Sequence, residues 1–115
     1  MNNIIVENIN SLLKNHKWCD FEIIEMKDNL IIGGRTSFNT EPDFIVEFDD
    51  VFYIQCLASW KTDTTSDAFF IPDLNECRKI NIDYGVEEGY ILFKITPEDL
   101  SGAIYISAKK ISLRT

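Results

Sequence analysis

The sequence predicts a mainly β protein, an antiparallel sandwich or partly open barrel of seven to nine strands with one N-terminal helix. Three observations carry this. Apolar residues alternate with period two through most of the chain after residue 17. The apolar segments are short and bounded by turn residues, as in sandwiches and barrels. Helical spacing is confined to the first sixteen residues, so βαβ crossovers are lacking. At 115 residues the chain fits one domain, residues 1–115, with helix 1–16 docked on a β body 17–115.

Taken in order, Ile5, Ile9, Leu12, Leu13 and His16 fall on one helical face, and Asn2 or Asn3 can cap its start. A helix this short is marginal alone and must dock. Cys19, Phe21 and Ile23 then alternate with Asp20 and Glu22 in a first strand. Lys27-Asp28-Asn29 is a turn, and Leu30-Ile31-Ile32 is a second strand ending at Gly33-Gly34. Phe44 to Phe48 and Val51 to Leu57 read as a hairpin turning at Asp49-Asp50, its second strand central because it is apolar on both faces. A polar loop from Lys61 to Asp67 leads to the strand Ala68 to Ile71, which Pro72-Asp73 ends. Ile80 and Ile82 alternate with Asn81 and Asp83, predicting another strand, and Tyr90 to Ile95 makes one more. Thr96-Pro97-Glu98-Asp99 has the form of a capped helical turn. Ala103 to Ala108 and Lys110 to Leu113 close the chain as strands.

Charge is the most informative compositional feature. The net charge is −8. Residues 41–88 hold twelve acids against three bases, a net of −9, whereas residues 89–115 carry +2. Clustered Lys and Arg are what nucleic-acid backbones and anionic membranes require, so neither partner is expected. No cationic leader with an unbroken apolar run and no membrane-length segment is visible, so the expected location is cytoplasmic. Cys19, Cys56 and Cys77 are odd in number and far apart, as small buried hydrophobes of a reduced protein would be.

Catalytic and metal signatures are sparse. His16 is the only histidine and lies on the apolar side of the helix; a Cys19–His16 pair would cross from a helix end into a buried strand. Ser59 lacks the flanking glycines of a nucleophile turn. Gly33-Gly34-Arg35 matches no phosphate-loop pattern and suits a bulge or turn. Asp49, Asp50, Asp63, Asp67 and Asp73 could supply oxygen ligands to calcium, but without the regular spacing of a calcium loop. The expectation is therefore no catalytic residues, no metal and no cofactor. Nineteen acids keep a carboxylate-based hydrolase open as an alternative.

Two stretches, Phe48-Asp49-Asp50-Val51-Phe52-Tyr53-Ile54-Gln55-Cys56-Leu57-Ala58-Ser59-Trp60 and Gly89-Tyr90-Ile91-Leu92-Phe93-Lys94-Ile95 followed by Ile104 to Ala108, set the order of elements. In these the chain resembles small acidic bacterial immunity-type proteins that neutralise polymorphic toxins. The resemblance implies a protein partner with a basic surface, and no catalytic residues. An acidic face would steer such a partner by long-range attraction. The candidate face is Glu41, Asp43, Glu47, Asp49, Asp50, Asp63 and Asp67, with Trp60 as an aromatic at a strand end. The resulting expectation is a non-catalytic binding protein that engages a basic effector. A small-ligand module enclosing a pocket lined by Phe, Tyr and Trp is the alternative, and the oligomeric state is left open.

Overall fold

A computed structural model describes residues 1–115. Seven strands form one antiparallel sheet: β1 (Cys19–Met26), β2 (Leu30–Arg35), β3 (Phe44–Gln55), β4 (Ser59–Thr62), β5 (Phe69–Phe70), β6 (Ile91–Ile95) and β7 (Ile104–Arg114). Their order across the sheet is β4-β1-β2-β3-β7-β6-β5, which puts β3 at the centre. Two helices accompany it, α1 (Asn2–Lys14) and α2 (Leu74–Tyr84). Of the two expected architectures, this is the partly open barrel. No helix is long and apolar enough to cross a membrane.

The sheet curls strongly. Phe21 on β1 lies five strand intervals from Phe69 on β5, about 24 Å in a flat sheet, yet their ring centroids are 5.5 Å apart. Bulges supply the curvature, since an extra residue bends a strand and sharpens its twist. The β1–β2 register shifts between Ile23 and Glu25, and the β3–β7 register between Val51 and Tyr53. Asp50 takes a left-handed conformation (φ 53°) in the middle of β3. This corrects the expected hairpin: Asp49-Asp50 kinks one continuous twelve-residue strand instead of turning the chain. An Asp pair tolerates both, because Asp adopts positive φ more readily than bulkier residues.

The concave face is filled by Phe21, Ile32, Val46, Phe48, Phe93 and Ile106, with Phe48 on Phe93 at 5.4 Å and Phe21 stacked on Trp60 at 5.5 Å. Helix α1 closes this core with Val6, Ile9 and Leu13. Its docked face also includes Asn10, whose buried side chain donates to the Phe69 carbonyl (2.9 Å) and accepts from the Ala68 and Phe69 N–H groups (3.0 Å each). His16, expected on that face, lies exposed beyond the helix end. No side chain caps α1; Asn2 instead accepts from the Ile111 N–H of β7.

Three further expectations are corrected. Residues 80–83 are helix, not strand. Asp73 accepts from the Glu76 N–H, and Gly85 ends α2 in the left-handed conformation, so caps at both ends define the element. Ile82 points outward, 73% exposed, where a strand alternation would have buried it. α2 lies on the convex face, held by Glu76 to Lys94 (2.8 Å), Glu76 to the Tyr105 hydroxyl, and Tyr84 stacked on Tyr53 at 4.2 Å. Residues 96–99 form a turn with Asp99 at φ 60° and no helix, because the Glu98 N–H is drawn to the Lys61 carbonyl. Gly33-Gly34 does not end β2, which runs on to Arg35.

Gly34 shows why. It pairs across the strands with Phe44, whose ring lies where a Cβ would stand. Gly34→Ala should therefore lower stability by about 1–3 kcal/mol through overpacking, measured by urea unfolding. Combining it with Phe44→Leu should cost less than the sum of the single changes. Additive losses would show that the ring over the glycine is not the constraint.

Candidate functional site

Three different fates meet the acids of residues 41–67. Glu47, Asp49 and Asp50 line the convex side of β3, opposite the bases of β7. Glu47 pairs with Arg114 at 2.6 Å, Asp49 lies in register with Lys110, and Asp50 is 3.6 Å from Lys109. The basic tail thus folds against part of the acidic block and offsets it. Asp63 and Asp67 lie in the β4–β5 loop. Asp63 accepts from Thr65, which lowers its pKa, and Asp67 pairs with Lys14 of α1. Glu41 and Asp43 lie in the β2–β3 loop. The acidic block is therefore not one face.

Trp60 is a correction of a different kind. It is only 6% exposed and stacks on Phe21, so it belongs to the core and cannot anchor a partner. The most exposed aromatic is Phe38, 96% exposed at the tip of the β2–β3 loop and 5.4 Å from Trp18. Its signal in the sequence was a lone apolar residue inside the polar run Arg35 to Thr40.

The loop that presents Phe38 is tightly organised. The Asp43 carboxylate accepts from the Thr36 N–H (2.8 Å), the Ser37 N–H (3.1 Å) and the Ser37 hydroxyl (2.8 Å). Arg35 spans the loop from the other side. Its guanidinium donates to the Asn39 and Thr40 carbonyls (2.8 and 2.7 Å) and pairs with Glu22 at 2.8 Å. A loop so restrained holds its exposed aromatic with little conformational freedom left to lose on binding.

Beside the loop, at this end of the sheet, is an open cleft of about 640 Å³ lined by Trp18, Phe38, Asp20, Lys61, Thr62 and Glu98, among others. Asp20 sits between Lys61 and Arg35 in the strand register. Neither Asp20 nor Glu98 takes part in any of the five ion pairs. Thr62 is 3% exposed, and its hydroxyl has no hydrogen-bond partner.

Burial pushes the Cys19 thiol up to about 12 and the Cys56 thiol up to about 11, which holds both as neutral thiols at pH 7. All three cysteines are free. The carboxyls with displaced pKa values, Asp43, Asp63 and Glu76, are all lowered by hydrogen bonds, the opposite of a general acid. The acids considered for calcium stand apart: Asp49 and Asp50 on β3, Asp63 and Asp67 in the β4–β5 loop, and Asp73 capping α2. No three His, Cys, Asp or Glu side chains converge as a metal site.

Nothing among protein-family models, curated proteins or solved structures matches this chain.

The Thr36 N–H and the Ser37 hydroxyl hold the Asp43 pKa below its ordinary range. A carboxyl with a depressed folded pKa stabilises its environment above the unfolded value of about 3.9, and that contribution is lost as pH falls through the folded value. The loop should therefore stay ordered at pH 5 and loosen only below about pH 4. In an NMR titration the Thr36 and Ser37 amide signals should follow one group titrating below 3.9. A midpoint at or above that value would show that Asp43 does not organise the loop.

Proposed function

We propose that this chain is a non-catalytic binding protein whose partner is a protein with a basic surface, as an immunity-type inhibitor of a basic effector would have. The observation that carries this reading is Phe38. An aromatic side chain 96% exposed costs solubility, yet seven hydrogen-bonding contacts from Asp43 and Arg35 to the loop residues 36–40 fix the segment that displays it. Rigid aromatic anchors of this kind dominate the energetics of protein interfaces. The net charge of −8 supports a cationic partner, because unlike charge raises the rate of encounter.

The partner's footprint differs from the one the sequence suggested. Glu41 and Asp43 contribute through the β2–β3 loop, Glu41 as an exposed carboxylate and Asp43 as the organiser of Phe38. Glu47, Asp49 and Asp50, partly neutralised by β7, act at longer range. Small-ligand binding in an enclosed pocket is less well supported. The concave interior is packed with side chains, and the concavities found are open clefts at the surface.

Affinity capture on immobilised protein, with the captured species identified by mass spectrometry, tests the reading. A basic protein should bind to wild type, bind several-fold less in 300 mM than in 50 mM salt, and be lost with Phe38→Ser. Capture of no basic protein, or of the same protein by Phe38→Ser with no salt dependence, would contradict it.

A further inference from the structure

We propose that α2 is a strap that opens as one unit: residues 73–89 leave the convex face while the sheet and α1 stay folded, and the opening uncovers Leu92 and Ser107. The strand registers place these two residues under the helix. Lys94 lies opposite Tyr105, and Leu92 opposite Ser107, which in turn faces Tyr53 on β3. Lys94 and Tyr105 both hold Glu76, and Tyr53 stacks on Tyr84, so strand alternation puts Leu92 and Ser107 on that same face. From Glu76 to Tyr84 the helix rises about 12 Å. The diagonal from Lys94 to Tyr53, two strand intervals across and two residues along, is also about 12 Å. The helix follows that diagonal, and half-buried Ile80, midway along it, passes over Leu92 and Ser107.

The strap is lightly held. None of the residues of α2 is buried, whereas α1 buries four. No backbone hydrogen bond joins residues 73–89 to a strand or to α1. Glu76 is the only side chain among them in a hydrogen bond or ion pair with the sheet. Pro72 precedes the capping Asp73 at one end, and at the other Gly85 and Gly89 take positive φ of 62° and 95° with open space around them.

What the strap covers also favours release. Leu92 is the one buried apolar side chain outside the concave core, so opening gives up little apolar burial. Ser107 is fully buried and its hydroxyl has no hydrogen-bond partner, so opening gives it water. Segments with so few buried contacts open locally, well below the free energy of global unfolding. The opened face presents Leu92, the Ser107 hydroxyl and the ring of Tyr53, a surface that the closed molecule does not show.

Native-state hydrogen exchange and thiol labelling test the strap. In the wild type the amides of residues 78–84 should share one opening constant, larger than that of the β3 amides by about tenfold or more. Tyr105→Phe, which alters the sheet and not the helix, should raise that constant several-fold and leave β3 unchanged. In Ser107→Cys, iodoacetamide should alkylate the introduced thiol about tenfold or more faster than global unfolding of the same variant allows, read by peptide mapping. Exchange of the α2 amides at the β3 rate would overturn the proposal. So would exchange graded inward from the helix ends and unmoved by Tyr105→Phe, or labelling of the introduced thiol only at the rate of global unfolding.

Discussion

The buried amide of Asn10 is the contact on which the rest of this fold depends. A sheet that curls without closing has two edges, and edge backbone groups held away from water need partners. On the β5 edge those groups are the Ala68 and Phe69 N–H and the Phe69 carbonyl, and one side chain of α1 satisfies all three. The same residue fixes the helix. With Asn10 on β5, Asn2 on the Ile111 N–H of β7 and Lys14 on Asp67, α1 lies along the opening and places Ile9 and Leu13 over the concave core. The apolar contacts supply most of the attraction, and the amide decides where they can form.

From that closure the position of the binding end follows. Phe21 reaches Phe69 across the curl, which draws the β4 edge towards the β6–β7 turn, where the Glu98 N–H meets the Lys61 carbonyl. Glu98, Lys61 and Thr62 thereby share a cleft with Asp20 and Trp18 at the start of β1. The β2–β3 loop stands beside them because Gly34 and Phe44 pair closely at its base. Residues distant in the sequence are thus gathered at one end of the sheet by packing on its inner face. Local rigidity of the loop is a separate contribution, made by Asp43 and Arg35.

Period-two alternation made the fold class legible, and the placement of β3 at the sheet centre was readable from its apolar run. What the sequence hid were the places where one pattern serves two structures. Asp49-Asp50 suits a turn or a kinked strand, and only the pairing with β7 on both sides of the kink decides between them. Ile80-Asn81-Ile82-Asp83 alternates over too few residues to outweigh the caps at Asp73 and Gly85, which were present and are the stronger signal. Asn10 was invisible as a core residue because a polar side chain on an apolar face looks like an interruption until its partners are seen. The acidic block was correctly located along the chain, but charge along a chain does not reveal what folds against it, and β7 offsets the acids of β3. Trp60, expected at a partner-facing strand end, is buried, and Phe38, a lone apolar residue among polar loop residues, is the exposed aromatic of that end.

Native-state hydrogen exchange at Ala68 and Phe69, in the wild type and in Asn10→Ala, tests the central role of the amide most directly. In the wild type both amides should exchange only on global unfolding, as slowly as those of β3. In Asn10→Ala they should exchange at least a hundredfold faster, with global stability lowered by about 2–4 kcal/mol for the backbone groups left buried without partners. Rapid exchange at these two amides in the wild type, or unchanged protection in Asn10→Ala, would contradict the account.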